Sequence, residues 1–100
     1  MAGAAITERI LKETLRAFSK PREALYQSNR GQINQARLVA VSLARELSGL
    51  RLTEIAEVFR VKSYRTVASS CYRLKKLMER DPGIKRQYVD IHQRCSQRKI

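Results

Sequence analysis

Residues 52–80 read LTEIAEVFRVKSYRTVASSCYRLKKLMER, and apolar residues recur in this segment with the period of an α-helix. The second half predicts a helix over residues 64–80, capped by Ser63, with a narrow apolar stripe at Val67, Cys71, Leu74 and Met78. The first half predicts a short helix opening at Leu52, with Thr53 as its cap. Residues 60–62 separate the two helices, and a short helix, a turn and a longer helix are the pattern of a helix-turn-helix.

The sequence before this segment also predicts helices, over residues 6–18, 21–25 and 34–47. The second of them opens on a proline, a residue that suits the first turn of a helix. Residues 26–32 are polar and turn-rich, so we expect a loop there. Gly49 supplies a left-handed stop after the third helix.

The sequence after this segment predicts one more helix, which Asp81 caps and Pro82 begins. Its apolar stripe has the same helical spacing as the stripe before it and consists of Ile84, Tyr88, Ile91 and Cys95. We therefore predict an all-α fold: a compact bundle of about six helices that forms a single domain over residues 1–100.

Charge is the strongest compositional signal. The 100 residues include 21 Lys and Arg against nine Asp and Glu, a net charge of +12. Such an excess on a short chain predicts a polyanionic partner, and nucleic acid is the usual one; the alternative is a chain that is basic for solubility alone. No apolar run is long enough to span a membrane, and the amino-terminal residues lack the pattern of a signal peptide. We expect a cytoplasmic protein that binds neither a membrane nor a small-molecule substrate.

The positive charge concentrates on one face of the helix predicted over residues 64–80. Opposite its apolar stripe, at 100° per residue, are basic and hydroxyl-bearing residues without a carboxylate: Arg65, Ser69, Tyr72, Lys76 and Arg80, flanked by Thr66 and Arg73. Solvated helix faces usually mix Glu with Lys, which favours a recognition helix over an ordinary surface. Residues 62–66 lie at its amino terminus, where free amides attract phosphate and where side chains meet base edges. The alternative is that Ser63 serves as a cap and Tyr64 as a packing residue.

No catalytic constellation accompanies this face, so we expect neither an enzyme nor a cofactor. His92 is isolated, and we interpret it as a surface or half-buried residue rather than a metal ligand. Cys71 and Cys95 lie on apolar stripes without metal-ligand spacing, which predicts reduced, buried thiols that react slowly. Glu54 and Glu57 are interpreted as solubilising residues that also compensate the helix dipole.

Residues 36–59, ARLVAVSLARELSGLRLTEIAEVF, resemble the C-terminal DNA-binding domain of the bacterial replication initiator DnaA. That family carries R-x-x-A-x-x-L-A-(R/K)-E-L followed by S-L-P-E-I-G-x-x-F, and the similarity extends over about residues 6–97. The resemblance implies a DnaA C-terminal or Trp-repressor-like helical fold that binds DNA. Residues 62–70 are also similar to the DnaA-like domain of some REP-associated transposases, so we expect a detached relative of such modules.

The departures from the family fall where it reads its DNA box. The family has G-G-R-D-H-T-T-V where this chain has Arg60-Val61-Lys62-Ser63-Tyr64-Arg65-Thr66-Val67, which keeps only the last two residues. Arg30 falls near the family's minor-groove arginine. We therefore expect a target site other than the initiator's box.

These observations together predict a sequence-specific binder of double-stranded DNA. We expect phosphate contacts from Arg37, Arg45, Thr53, Lys62, Arg73 and Lys76, and base contacts from Ser63, Tyr64, Arg65, Thr66 and Ser69. Two alternatives remain: a basic helical domain that binds RNA, suggested by the charge and Tyr72, and a protein-interaction adaptor that kept the fold without base readout.

Overall fold

The computed structural model of the chain describes residues 2–26 and 34–96. Five α-helices occupy most of this part of the chain: α1 (Ala2–Phe18), α2 (Gln35–Leu47), α3 (Leu52–Val58), α4 (Tyr64–Arg80) and α5 (Pro82–Ser96). A 3₁₀-helix, Arg22–Tyr26, lies between α1 and α2. The described residues contain no strand, so the all-α prediction is confirmed.

Side-chain caps and a glycine account for both ends of α2 and for the start of α5. Asn34 caps α2 by accepting a hydrogen bond from the Arg37 amide at 3.1 Å. Gly49, just beyond α2, adopts φ +76°, the left-handed conformation expected for a glycine after a helix. Asp81 Oδ1 accepts hydrogen bonds from the amides of Gly83 and Ile84, and so caps α5.

The predicted cap of α3 is wrong. Thr53 lies inside the first turn of α3, because the helix already begins at Leu52. The amide of Arg51 instead donates to the Glu54 carboxylate at 2.8 Å. A carboxylate in the first turn also interacts favourably with the helix dipole. The side chain that stabilises the start of α3 is therefore that of Glu54 and not that of Thr53.

Helix α2 is the centre of the bundle, since it packs against the other four α-helices and the 3₁₀-helix. Eight of its 13 residues are buried, from Ala36 to Ala44 with the exception of Arg37. Helices α4 and α5 each present the predicted stripe to this core, and Val67, Leu74, Ile84 and Ile91 are at most 4% exposed. Burying one such side chain contributes about 1.5–3 kcal/mol, so this packing fixes which face of α4 remains outside.

Polar contacts join elements that are distant in sequence. Asn34 Nδ2 donates to the carbonyl of Ala24 at 2.6 Å, which ties the 3₁₀-helix to α2. Arg22 donates two hydrogen bonds to the Glu8 carboxylate, at 2.8 and 3.0 Å, and this arginine lowers the pKa of Glu8. Among the described residues, none of the helices has the length and apolar character needed to cross a membrane.

Candidate nucleic-acid interface

The outer face of α4 forms a continuous basic strip. Seven of its exposed residues are basic or hydroxyl-bearing: the predicted set of Arg65, Ser69, Tyr72, Lys76 and Arg80, with Thr66 and Arg73 beside them. Glu79 is also exposed, about 40° from Arg65 around the helix, so the prediction of a face without a carboxylate is wrong. Val67, Ser70 and Leu74 are buried on the opposite face. We call the seven basic or hydroxyl-bearing residues the α4 strip. The predicted separation of a basic face from an apolar stripe is therefore present in the folded chain.

The amino terminus of α4 is organised by Ser63. Its hydroxyl accepts a hydrogen bond from the Arg65 amide, and its carbonyl accepts one from the Thr66 amide, both at 3.1 Å. Ser63 is partly buried, so the capping role is the one that the geometry supports. Lys62, Tyr64, Arg65 and Thr66 are all exposed around this terminus. Cationic and hydroxyl-bearing side chains therefore surround the positive end of the α4 dipole.

The turn between α3 and α4 contains a feature that the sequence reasoning missed. Arg60 adopts φ +57°, a left-handed conformation that is uncommon for residues other than glycine. Its guanidinium carbon lies 4.1 Å from the centroid of the Tyr26 ring, within cation–π range. The Val61 amide closes the turn by donating to the Ala56 carbonyl at 2.9 Å. The turn is thus held both by its own backbone and by a side chain of the 3₁₀-helix.

A groove between α2, α4 and α5 brings charged residues of α2 beside α4. Arg45 and Glu46 of α2 and Lys75 of α4 line this groove, over a largely apolar floor that includes Leu74 and Met78. The structure therefore places the predicted phosphate ligand Arg45 next to α4. Lys75 lines the same groove, although the sequence analysis did not include it among the site residues. Its position about one helical turn from Tyr72 is the signal that could have identified it.

Two further predicted phosphate ligands, on α2 and α3, are placed differently from Arg45. Thr53 is exposed on the first turn of α3. Arg37 is half-buried, and this burial lowers the pKa of its guanidinium. Neither residue lines the groove that holds Arg45 and Lys75.

One cation of the α4 strip lies beside a carboxylate. Lys76 Nζ is 3.9 Å from a carboxylate oxygen of Glu79 and 5.6 Å from the Tyr72 ring centroid. By contrast, within the part of the chain that the structure describes, no ion pair joins Lys62, Arg65, Arg73 or Arg80 to a carboxylate. The uncompensated positive charge therefore extends along the whole length of α4.

The two cysteines and His92 differ in burial and in partners. Cys95 is buried, whereas Cys71 is only partly buried at the edge of the groove, so the prediction of two buried thiols is wrong for Cys71. His92 Nε2 lies 3.3 Å from a Glu46 carboxylate oxygen and is half-buried, as predicted. No group of His, Cys, Asp and Glu suited to a metal ion occurs among the described residues. Arg30, the counterpart of a minor-groove arginine, lies outside the described residues.

The fold and the α4 strip define a small helical domain with a basic surface, and one comparison relates it to a known protein. The chain is 34% identical over 61 residues to the chromosomal replication initiator protein DnaA of Laribacter hongkongensis (strain HLHK9). The matched segment covers 61% of this chain and 13% of that protein. No protein-family model matches the sequence. The chain is therefore similar to a small part of DnaA, as a distantly related domain.

Proposed function

We propose that this chain is a sequence-specific binder of double-stranded DNA, in which α3 and α4 act as a helix-turn-helix and α4 enters the major groove. The observation that carries the proposal is the α4 strip, a basic helix face that the core packing holds outward. An α-helix fits the major groove of B-DNA, and the first turn of a recognition helix meets the base edges there. The distant similarity to DnaA, a chromosomal replication initiator protein, supports DNA as the polyanion.

Contacts to phosphates and contacts to bases are assigned to different residues of the site. Lys62, Arg73 and Lys76 on and before α4, with Arg45 beside it and Thr53 and Arg37 farther away, would meet phosphates. Phosphate contacts set the register of a protein on the duplex but carry no sequence information. Tyr64, Arg65, Thr66 and Ser69 are exposed and would face the bases, while Ser63 holds the helix terminus. The module would act by binding, without catalytic activity or a cofactor.

Residues 60–67 differ from the DnaA pattern at six of eight positions, and the target would differ accordingly. The threonine that the family carries at position 65 is replaced by an arginine, which can donate two hydrogen bonds to the O6 and N7 acceptors of guanine. We therefore expect a target site with at least one guanine.

The test combines site selection with a charge-matched control. Bound sequences are selected from a random duplex pool, and the dissociation constant for the selected duplex is measured at one fixed salt concentration. The double variant Arg65→Ala/Arg73→Ala is compared with Arg9→Ala/Arg16→Ala, which removes the same charge from exposed positions of α1. Helix α1 packs mainly against α2 and α5, so these positions lie away from α4.

The proposal expects at least a tenfold loss of affinity for the α4 variant and a loss of threefold or less for the α1 variant. Equal losses for the two variants would mean that net charge alone binds the duplex, and would contradict the proposal. Tighter binding of structured RNA than of the selected duplex would favour the RNA alternative. Capture of a protein partner that persists after nuclease treatment, without duplex binding, would favour the adaptor.

A further inference from the structure

Two of the three large apolar side chains that are exposed among the described residues lie on α4. Tyr64 is 48% exposed and Tyr72 is 63% exposed, and the third is Val89 on α5. The two tyrosines differ in their surroundings, since the Lys76 ammonium lies over the Tyr72 ring. The Tyr64 hydroxyl has no hydrogen-bond partner within the described part of the chain. Its ring is an exposed apolar surface at the amino terminus of α4.

The first turn of α4 leaves few side chains for contact with bases. The Ser63 hydroxyl oxygen is engaged by the Arg65 amide. Tyr64 and Thr66 are both exposed and lie about 100° to either side of Arg65 around the helix. The threonine side chain is the shortest of the three. Tyr64 and Arg65 are therefore the two long side chains that this turn exposes.

We infer that Tyr64 reads the 5-methyl group of a thymine in the same target site as the guanine bound by Arg65. This inference rests on the proposed function, because it requires α4 to enter the major groove. The thymine methyl is the apolar group that base pairs present in that groove, so it is the group that an exposed aromatic ring can recognise. Tyr64 and Arg65 are consecutive residues in the first turn of α4, the turn whose side chains meet base edges in a recognition helix. The thymine and the guanine therefore belong to one target site.

The inference makes Tyr64 a specificity residue that acts through its ring and not through its hydroxyl. Replacing thymine by deoxyuridine removes one methyl group and leaves every hydrogen-bonding group of the base pair in place. At the contacted position this replacement is expected to weaken binding about fourfold, the effect of one buried methyl-sized group.

The experiment measures dissociation constants for the selected duplex and for duplexes in which single thymines near the guanine are replaced by deoxyuridine. The wild-type protein is expected to lose about fourfold in affinity at one position. Tyr64→Ala is expected to bind the thymine and deoxyuridine duplexes equally. Tyr64→Phe, the matched variant, is expected to keep the wild-type preference, because it keeps the ring. Tyr64 is half exposed, so helical circular dichroism should be the same for all three proteins.

Three results would overturn the inference while leaving duplex binding intact. The wild-type protein would bind thymine and deoxyuridine equally at every position, or Tyr64→Ala would retain the preference. In the third, Tyr64→Ala would weaken binding of single strands more than of duplexes, which would mean that the ring stacks on unpaired bases. Absence of any preference for duplex DNA would instead overturn the proposed function itself.

Discussion

The guanidinium of Arg60 lies over the ring of Tyr26, 4.1 Å from its centroid, and this contact joins the turn before α4 to the 3₁₀-helix before α2. Arg60 holds a left-handed backbone conformation at the same time, with φ +57°. A left-handed conformation costs an L-residue about 1–2 kcal/mol, and a cation–π contact at an exposed site returns about 0.5–1 kcal/mol. The stack therefore offsets part of the cost of the turn that positions α4.

Two substitutions of Arg60 separate these contributions. Arg60→Ala loses the stack and keeps the backbone cost, so its free energy of unfolding should fall by about 0.5–1 kcal/mol. Arg60→Gly also loses the stack but relieves the backbone, so it should be about 1 kcal/mol more stable than Arg60→Ala. Urea unfolding followed by circular dichroism measures both. Equal stability of the two variants would show that the positive φ costs nothing here.

The salt dependence of binding should report the number of phosphates that are neutralised. If about five cations contact the backbone, the logarithm of the association constant should fall with the logarithm of salt concentration with a slope of roughly −4 to −5. Titrations of the selected duplex between low and physiological salt give this slope. Tight binding that does not respond to salt would rule out the electrostatic part of the account.

Alkaline pH should destabilise the fold through Tyr88. Burial raises the pKa of Tyr88, and the Glu46 carboxylate, which accepts a hydrogen bond from the Tyr88 hydroxyl, raises it further. The folded tyrosine then keeps its proton above about pH 10, where the unfolded one has lost it. The contribution of Tyr88 is therefore fully present below that pH and is lost as pH rises above it.

The measurement is the free energy of unfolding of the wild-type protein and of Tyr88→Phe between pH 8 and pH 11. The difference between the two proteins should shrink as the pH rises, because phenylalanine has no proton to lose. A constant difference over this range would contradict the assigned role of Tyr88.

The two thiols should react at different rates. Cys95 is 3% exposed and burial raises the pKa of its thiol, so little reactive thiolate is present and reagents have poor access. Cys71 is partly exposed at the groove between α2, α4 and α5. A chromogenic disulfide reagent should modify Cys71 first, and the fast phase should vanish in Cys71→Ser but persist in Cys95→Ser. A fast phase that survives Cys71→Ser would show that the burial of Cys95 is wrong.

The sequence predicted the parts of the fold that depend on local chemistry. Helix α4 has the predicted bounds, because Ser63 and Asp81 mark its ends and the apolar stripe is regular. The cap of α3 was misassigned, because threonine and glutamate are both common in the first turn of a helix. Which of the two residues binds a free amide depends on the residue at which α3 begins, and that residue depends on the path of the chain between α2 and α3. The prediction of Thr53 as the cap was based on the general preference for threonine at the start of helices. In the structure the amide of Arg51 donates a hydrogen bond to Glu54.

The candidate site was predictable as a helix face but not as a three-dimensional surface. Helical periodicity at 100° per residue suffices to place Arg65 opposite Val67. The groove that Arg45 and Lys75 both line, like the stack of Arg60 on Tyr26, involves residues more than 25 positions apart and depends on packing around α2. The partial exposure of Cys71 has the same origin, since its stripe ends at the edge of a groove that three helices form.

The central claim is that α4 reads base edges of duplex DNA through Arg65, and a paired comparison of variants tests it most directly. Dissociation constants are measured for Arg65→Ala and Lys76→Ala on the selected duplex and on a scrambled duplex at one salt concentration. Arg65→Ala should cost about 1–3 kcal/mol on the selected duplex and much less on the scrambled one. Lys76→Ala should weaken both duplexes alike, because phosphates carry no sequence, and only by a few fold, since Glu79 already lies 3.9 Å from its ammonium. An equal loss for Arg65→Ala on the two duplexes would make Arg65 a backbone contact and would contradict the claim.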